Sequence, residues 1–399
     1  MSFYTLPKKN NIAKIMPQIR ESIEENFEPY ISFSLYNYLS KQLKELEKSA
    51  FNNDELFKIL NPYEFLFSKV PTYKFSVSKM KPPAHSFYIL MEVTHIFNLF
   101  DSFSNNITTM HFGSCPDATI EFIDMLREEM QDIHVTTDLL SYVNNTQINY
   151  VQNIDFMYFD LDLEKYKDES LSSTQLYFDE LILILLNILI YQSINGITII
   201  KIGNIFHKVV LDIIFLLSSL FEKVYIIKPN TSNIFSNEKF IVCKFFEPSF
   251  TENNIYIDNL KKILLREPNK CLFSLIEGDL PYHFLNKIEE VNAIIGEQQL
   301  EAMDYALNIN KNKNKEEKIE TLKKINIQKC IQMCQKFKIP YNKFTDKVNI
   351  FLQSNLDNEM LLQNIFLNPI QTLEKINDEY QIVDELLINI VNEIIEKIE

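Results

Sequence analysis

The sequence predicts an α/β protein built on an open sheet, and three features of one central stretch carry this prediction. Residues 197–200 form a β-branched apolar run typical of a buried strand, which ends at Lys201. Residues 208–220 repeat apolar side chains at three- and four-residue steps, which indicates a helix. Residues 224–227 and 240–246 are two further apolar runs with a polar loop between them. Because chemistry in such sheets collects where strands end, Lys201 and this loop are the first candidates for a site.

Strands and helices also alternate on the N-terminal side of this stretch. Apolar patterns predict strands at 107–112, 132–139 and 153–163, and helices at 84–100, 119–130 and 178–191. Helical spacing continues over most of residues 1–70 and returns at 254–265 and 285–307. The predicted division is a helical N-terminal extension (1–83), an α/β core (84–250), a helical region packed on the core (251–344) and an acidic helical tail (345–399).

Further candidate site residues stand at the ends of the predicted core strands. Gly113 opens a turn between a strand and a helix, where a nucleotide-binding fold brings its cofactor close to the backbone. Asp138 lies near the end of the next strand, where such folds often bind ribose hydroxyls, and an ordinary loop aspartate is the alternative. Asp160 follows the alternating apolar residues of the third strand. These positions predict a site at the strand ends.

The central stretch resembles the FtsJ-like RNA ribose 2′-O-methyltransferase family, in its mRNA-cap branch. That family has a strand ending in a catalytic Lys, then a helix and a Lys-Pro…Thr-Ser-Arg-Pro…Ser-Glu-x-Tyr-x-Val-Cys loop. The matching residues here are Lys201, Lys228, Pro229, Thr231, Ser232, Ser236, Glu238, Phe240, Val242 and Cys243. Asn233 departs from the pattern, since the family usually has Arg there, and the resemblance fades before residue 85 and after about residue 345. It implies a Rossmann-like S-adenosylmethionine-dependent methyltransferase fold with helical N- and C-terminal extensions.

The resemblance also implies a catalytic set. The family uses Lys-Asp-Lys-Glu, of which this chain offers Asp160, Lys201 and Glu238, with Lys201 as the general base. Ile89 falls where the first Lys should be, and an aliphatic side chain supplies no charge or hydrogen bond. Lys79 or Lys81 folding back toward the site is one alternative. Another is that the three retained residues only stabilise the edge of the sheet.

The cofactor implied by the resemblance is S-adenosylmethionine. Gly113, Ser114 and Pro116 fall where the family's Pro-Gly-Gly turn binds it, but Asp117-Ala118 replaces the glycine pair. Asp117 is expected to place a negative charge where the methionine end of the cofactor would pass. Whether the altered turn still binds the cofactor is left open by the sequence.

Composition bears on the partners, compartment and origin of the protein. A formal net charge of −15 counts against tight RNA binding, although the tail 345–399 alone holds eleven acidic residues and three lysines. The five scattered cysteines predict free thiols in a reducing compartment and no metal site. The most apolar run, 181–190, is too short to span a bilayer. We expect a cytoplasmic protein without a membrane segment. The bias toward Phe, Ile, Asn and Lys suggests an AT-rich genome such as that of a large DNA virus. For a viral protein, the corresponding location is a viral factory or the virion.

Two functions from different classes follow. The two departures, at Ile89 and in the cofactor turn, favour a catalytically degenerate methyltransferase-fold subunit of a capping or transcription assembly. Its protein partner would bind the N- or C-terminal helices, because an apolar stripe in the tail needs either its own core or a partner helix. The alternative is an active mRNA-cap ribose 2′-O-methyltransferase that binds capped mRNA. An unrelated soluble α/β protein is the third interpretation.

Overall fold

A computed structural model describes residues 3–8, 15–21, 27–50, 54–136, 139, 153–168, 170–247, 253–267, 269–311 and 315–344. The chain divides into two units, Met1–Asn342 and Lys343–Glu399, and every element named below belongs to the first. The apolar stripe that the sequence predicts in the C-terminal tail lies outside the described residues.

Seven of the described strands form one sheet, in the order β1-β7-β8-β6-β5-β3-β4. The strands are β1 (Phe3–Thr5), β3 (Thr108–Phe112), β4 (Ile133–Thr136), β5 (Ile154–Phe159), β6 (Gln192–Ile202), β7 (Phe221–Ile227) and β8 (Lys239–Phe246). A separate antiparallel pair is formed by β2 (Ile15–Glu21) and β9 (Lys270–Ile276).

The main sheet is mostly parallel and contains one reversed strand in its interior. β4, β3, β5 and β6 pair in parallel, and β8 runs antiparallel between β6 and β7. The chain passes from β3 outward to β4 and then returns to β5 on the other side of β3. This sheet, with helices packed on it, confirms the predicted Rossmann-like fold of S-adenosylmethionine-dependent methyltransferases. The strand order reverses between β3 and β5, which is where open α/β sheets bind their ligands.

Most of the described helices overlap the ranges predicted from apolar spacing. They are α1 (Phe33–Ala50), α2 (Asp54–Leu60), α3 (Ser86–Phe97), α4 (Pro116–Leu126), α5 (Leu171–Tyr191), α6 (Lys208–Leu220), α7 (Asn253–Leu264), α8 (Tyr282–Lys311) and α9 (Lys315–Lys336). α6 has the predicted limits. Its residues 209–220 are all buried, and it contacts β7, β8 and β9.

α5 is longer than its predicted range of 178–191. It begins at Leu171 because the Ser170 side chain accepts a hydrogen bond from the Ser173 backbone and caps the helix. Of the described helices, α5 is the one long and apolar enough to cross a membrane, and 78% of its most apolar window is buried inside the fold. Its apolar residues belong to the core cluster that also contains the inner side chains of β6 and α6.

The helical interpretation of residues 1–83 and 251–344 missed three strands. β1 joins the edge of the main sheet beside β7, and β2 pairs with β9 in a region predicted to be helical. Local spacing could not reveal these strands because their partners lie more than 200 residues away in the sequence. The buried Asp212 carboxylate of α6 anchors β9 by accepting hydrogen bonds from Leu275 N (2.8 Å) and Ile276 N (3.2 Å).

Candidate active site

Three of the predicted site residues meet at the carboxyl ends of β5 and β6. Lys201 Nζ donates a hydrogen bond to Asp160 Oδ1 at 2.8 Å and lies 3.9 Å from Glu238 Oε2. The three side chains are partly buried, with 21%, 20% and 12% of their surfaces exposed for Lys201, Asp160 and Glu238. We refer to these three residues as the ion-pair cluster. The cluster is therefore exposed enough for its polar atoms to contact a bound ligand.

The register of the sheet places these residues together. Phe159 of β5 pairs with Ile200 of β6, so Asp160 and Lys201 leave neighbouring strands at the same level. Lys201 pairs in turn with Phe240 of β8, two residues after Glu238. Residues far apart in the sequence therefore converge because parallel strands end at one edge and β8 begins there.

A partly buried lysine holds the loop that presents Glu238. Lys228 Nζ donates hydrogen bonds of 2.9 Å to the carbonyl oxygens of Asn233, Ser236 and Glu238. Burial lowers the pKa of Lys228 to about 8, although Glu238 opposes the shift. Glu238 Oε1 itself accepts a hydrogen bond from Asn233 N at 2.6 Å. Asn233 fills the family's Arg position and supplies backbone groups to this loop.

A buried glutamate fastens α3 to the same loop. Glu92 accepts hydrogen bonds from Asn230 Nδ2 (3.0 Å), Thr231 N (2.9 Å) and Thr231 Oγ1 (2.8 Å). Only 3% of Glu92 is exposed. The sequence pattern aligned Glu92 without giving it a role, and the contacts show that its role is to dock the helix. α3 is thereby fixed beside the ion-pair cluster.

Lys201 is an ammonium group in this environment. Burial acts to lower its pKa, but the carboxylates of Asp160 and Glu238 outweigh burial, and the net effect raises the pKa above its ordinary value. A protonated lysine donates hydrogen bonds and cannot accept a proton. Lys201 therefore does not show the lowered pKa that would let a lysine act as the general base implied by the resemblance.

The missing first lysine has no lysine substitute nearby. Ile89 is buried on α3, as the aligned pattern predicts for its backbone position. Lys79 and Lys81, proposed from the sequence as alternatives, are exposed. Among the described residues the cluster thus combines one cation with two carboxylates.

A cavity of about 860 Å³ opens beside the ion-pair cluster at the point where the strand order reverses. It lies at the carboxyl ends of β3, β4 and β5. Its lining includes the predicted residues Gly113, Ser114, Pro116 and Asp160, and also His111, Phe112, Thr136, Leu139, Phe159, Leu161, Asp162, Lys165, Leu176, Asp179, Glu180, Leu183 and Leu264. A cavity of this size is in the range that binds cofactors and other small ligands.

Gly113 has a backbone reason for being glycine. Its φ is +143°, and a Cβ at this position would lie 2.7 Å from Asp160 Cβ and 3.0 Å from the Asp160 carbonyl oxygen. The two strand ends approach closely because Asp160 N donates a hydrogen bond to the Phe112 carbonyl at 2.9 Å. Gly113 thus fixes the distance between the turn and the ion-pair cluster.

Asp117 does not obstruct the cavity as the sequence suggested. Pro116 begins α4, and Asp117 lies exposed in its first turn, where a carboxylate favours the positive end of the helix. Asp117 is not among the residues that line the cavity. The expected charge obstruction at Asp117 is therefore absent from the cavity wall. Asp138, predicted to bind ribose hydroxyls, lies outside the described residues.

A buried histidine supports the floor of this cavity. His111 shares hydrogen bonds of 2.8 Å with Thr119 Oγ1 through Nδ1 and with Thr109 Oγ1 through Nε2. Thr119 Oγ1 in turn donates to the Pro116 carbonyl, also at 2.8 Å. Burial and the neighbouring His134 lower the pKa of His111 to about 3, so its imidazole is neutral at neutral pH. The network holds the Gly113–Pro116 turn against β3.

A second, smaller cavity adjoins the cluster on the side of Gly203 and Asn237. Its volume is about 270 Å³, and aromatic rings form much of its wall. These rings belong to Tyr36, Phe57, Tyr166, Tyr177, His207 and Phe235, which come from α1, α2, a turn after β5, α5 and two loops. The Tyr177 hydroxyl accepts a hydrogen bond from Gly203 N at 3.0 Å and positions the chain after Lys201. Sequence reasoning missed this cavity because its residues are scattered over the chain.

Two further polar groups near the cluster were not identified as site residues from the sequence. His85 immediately precedes α3, and Tyr158 lies two residues before Asp160. Both interact electrostatically with Glu238. The spacing of His85 and Ile89, four residues apart on one helical face, was the available signal.

Groups of three or more His, Cys, Asp or Glu side chains suited to a metal ion are absent from the described part of the chain. Cys330 and Cys334 are buried free thiols, as predicted. Burial raises the pKa of Cys334 to about 11, which keeps the thiol protonated.

Comparisons with known proteins found similarity to a viral protein and to solved structures of methyltransferases. No protein-family model matches the chain. The uncharacterized protein R383 of Acanthamoeba polyphaga mimivirus is 23% identical over an alignment of 303 residues, and the alignment covers 73% of this chain and 77% of that protein. A putative ribosomal RNA methyltransferase from Plasmodium falciparum is 18% identical, covers 41% of this chain and 97% of its own, and has a TM-score of 0.32. Human methyltransferase-like protein 13 in complex with SAH is 8% identical, covers 51% and 99%, and has a TM-score of 0.23. The fold assignment rests on the sheet itself.

Proposed function

We propose that this protein is an S-adenosylmethionine-dependent RNA ribose 2′-O-methyltransferase that acts on capped mRNA. The observation that carries the proposal is the position of Lys201, between Asp160 and Glu238 and beside a cavity of about 860 Å³ at the reversal of the strand order. The residues that match the family pattern of cap methyltransferases are the same residues that build this cluster and its supporting loop.

The cavity supports cofactor binding by backbone shape. The Gly113–Pro116 turn and the N-terminus of α4 would hold the methionine part, and the residues at the ends of β4 and β5 would face the ribose. When bound, S-adenosylmethionine supplies an electrophilic methyl group on a positively charged sulfur. Asp160 and Asp162 line the cavity and favour a cation there.

The ion-pair cluster supports an oxygen nucleophile. The Lys201 ammonium donates a hydrogen bond that can orient a ribose hydroxyl, and Asp160 and Glu238 hold the ammonium in place. Acceptor binding would exclude water and increase the burial that already acts to lower the pKa of Lys201. The aromatic cavity beside Gly203 and Asn237 offers flat side chains on which a nucleotide base can stack.

A specific observation favours a second function, that of a non-catalytic subunit in a capping or transcription assembly. Ile89 replaces a cation, and the two carboxylates raise the pKa of Lys201, so the cluster lacks a ready proton acceptor of the expected kind. In that case the ion-pair cluster only fixes the edge of the sheet, and a protein partner binds the helices outside the core.

The test combines cofactor binding with methyl transfer. Purified protein is titrated with S-adenosylhomocysteine and S-adenosylmethionine by calorimetry and then incubated with radiolabelled cofactor and RNA that is either capped or bears a 5′-triphosphate. Label in the ribose of the first transcribed nucleotide of capped RNA is the expected result. Label in both RNAs would support methyltransferase activity but show that the enzyme does not require a cap. Cofactor binding below detection together with no transfer would refute the proposal and support the subunit.

A further inference from the structure

Two segments of this acidic chain are rich in lysine and contain no acidic residue. The formal net charge is −15, yet residues 65–91 contain four lysines, residues 321–345 contain six, and neither range contains an Asp or a Glu. Glu64, which precedes the first segment, already accepts hydrogen bonds from the side chains of Ser68 and Asn61. The positive charge of both segments is therefore not neutralised by neighbours in the sequence.

The fold joins these two segments side by side. Ser78 and Tyr341 form an antiparallel bridge. Lys79 N donates a hydrogen bond of 2.9 Å to the Pro340 carbonyl. Asn342 donates two further hydrogen bonds, of 2.8 and 2.9 Å, to carbonyls of the first segment. Residues that are far apart in the sequence thus share one continuous piece of backbone structure.

Buried apolar side chains anchor this structure to the rest of the protein. Val70 and Val77 are fully buried, and Ile339 is only 5% exposed. Val77 N donates a hydrogen bond of 2.7 Å to the Phe65 carbonyl, and Val70 N donates one of 3.1 Å to the Phe75 carbonyl. The backbone that carries the lysines is therefore fixed before any ligand binds, which lowers the entropic cost of binding.

The lysines of this region face solvent. Six of them are exposed, namely Lys69, Lys74, Lys79, Lys81, Lys336 and Lys338. We refer to these six residues as the lysine surface. Two aromatic side chains on the same loop, Phe67 and Phe75, are also 38% and 39% exposed. Exposed lysines interleaved with exposed aromatic rings are typical of surfaces that bind single-stranded nucleic acid.

The loop that carries the lysine surface continues directly into α3, which is fastened beside the ion-pair cluster. Tyr88 of α3 donates a hydrogen bond of 3.4 Å to the Met80 carbonyl of this loop. Glu92, which docks α3 on the loop that carries Glu238, lies six residues after Ser86, or about 9 Å along the helix. A few nucleotides span such a distance, since the charges of one strand are about 3.4 Å apart even in a duplex.

We propose that the lysine surface binds the phosphate backbone of the RNA that extends from the methyl-acceptor nucleotide. The inference rests on the proposed function and adds a binding surface outside the α/β core. Lysine ammonium groups act as point charges and do not form the bidentate contacts of arginine, so the surface binds RNA of any sequence. Concentrating positive charge on one surface also explains how a protein of net charge −15 can bind RNA.

The first test measures RNA binding by two variants of equal net charge. Fluorescence anisotropy follows binding of labelled, uncapped RNA without cofactor, and about 20 nucleotides exceed the usual site size of one single-strand-binding module. The surface variant carries Lys79→Gln, Lys81→Gln, Lys336→Gln and Lys338→Gln. The control variant carries the same change at four exposed lysines on other parts of the fold, Lys223, Lys262, Lys311 and Lys318.

The surface variant should bind RNA at least about tenfold more weakly than the wild type and the control variant at about 0.1 M salt. Its slope of log K against log salt should be shallower by about 3, because each lysine–phosphate contact on a single strand contributes about 0.7. Arginine at the same four positions should restore both affinity and slope, which separates loss of charge from loss of folding. A surface variant with the wild-type affinity and slope would overturn the inference.

A second measurement locates the RNA on the wild-type protein. Lysines are acetylated with an N-hydroxysuccinimide ester in the presence and absence of RNA, and the modified positions are identified by mass spectrometry. RNA should protect the lysine surface and leave Lys262 reactive. Equal modification of the lysine surface with and without RNA would contradict the inference.

The remaining outcomes separate the kind of partner and the proposed function. A polyglutamate peptide that carries the same number of charges should compete poorly with RNA, because it offers no bases for the exposed aromatic rings. Equal competition would assign the surface to an acidic protein and overturn the inference. Methyl transfer by the wild type, with unchanged RNA binding by the surface variant, would overturn the inference alone. RNA binding at the lysine surface without methyl transfer would overturn the proposed function alone.

Discussion

The two halves of the site are held in different ways. On the side of Lys201 and Glu238, side chains fix the structure: Lys228 binds three carbonyls of one loop, and Glu92 accepts three hydrogen bonds from it. On the side of the cavity, the turn after β3 is shaped mainly by backbone, with Gly113 at φ +143° and no side-chain cap at the start of α4. The loop near Glu238 depends on particular side chains, so its sequence pattern can be recognised. The turn at Gly113 depends mainly on backbone shape, which many sequences can adopt.

This difference explains why the sequence comparison succeeded on one side and was uncertain on the other. Lys228, Thr231 and Glu238 match the family pattern because their polar atoms take part in the buried network. The turn at Gly113 departs from Pro-Gly-Gly and still lines the cavity. Four predictions test the contrast, in order of decreasing effect.

Glu92→Ala should weaken the side-chain half most. The substitution removes three hydrogen bonds and leaves the buried Thr231 N–H unpaired, which should lower the free energy of unfolding by about 2–4 kcal/mol. Chemical denaturation measures the change, and Glu121→Ala on exposed surface of α4 should stay within about 0.5 kcal/mol of wild type. Equal stability of the two variants would show that the docking bonds contribute little.

Gly113→Ala should affect the backbone half through sterics. An alanine at φ +143° is strained, and its methyl group would lie 2.7 Å from Asp160 Cβ. We therefore expect the free energy of unfolding to fall by about 1–3 kcal/mol. Because Asp160 must shift, affinity for S-adenosylhomocysteine should fall as well. Denaturation and calorimetry on the same sample check both effects, with Gly278→Ala as a control for positive φ, since no atom lies within 4 Å of a Cβ there. A Gly113→Ala protein no less stable than that control would argue against a steric role.

Acid should destabilise the cavity floor through His111. Its pKa is lowered from 6.5 to about 3 in the fold, so between these values the unfolded chain binds a proton that the folded protein does not. The resulting loss of stability begins as pH falls below 6.5 and amounts to about 1.4 kcal/mol per pH unit. His111→Asn should reduce the slope of stability against pH by about one proton between pH 6 and 4. An unaltered slope would mean that His111 is protonated in the folded state.

Asp117→Asn should have the smallest effect. The side chain is exposed at the N-terminus of α4 and outside the cavity lining, so its removal costs the helix about 0.3–1 kcal/mol at low salt. Affinity for S-adenosylmethionine should change less than twofold. A tenfold gain in affinity would show that the Asp117 carboxylate does obstruct the cofactor, as the sequence suggested.

The parts of the fold that were predicted correctly depend on local pattern. The limits of α6, and the strands before and after it, follow from apolar spacing within a few residues. Asp160 and Lys201 were identified at the ends of predicted strands, and Glu238 was identified from the family resemblance. The missed strands β1, β2 and β9 pair with strands that lie far away in the sequence, and the local spacing of apolar residues cannot predict such pairing. The raised pKa of Lys201 arises from the three-dimensional environment and had no local sequence signal.

The most direct measurement for the central claim compares methyl transfer by wild type, Lys201→Ala and Lys223→Ala. Lys223 is half-exposed on β7 and pairs with neighbouring Glu222, so it controls for the loss of one positive charge. The claim predicts transfer to capped RNA by wild type and Lys223→Ala and equal binding of S-adenosylhomocysteine by all three proteins. Lys201→Ala should lose about 10²–10³-fold in rate, the usual contribution of one positioned hydrogen-bond donor. Transfer by Lys201→Ala at the wild-type rate would contradict the claim that this ion-pair cluster is the methyl-acceptor site.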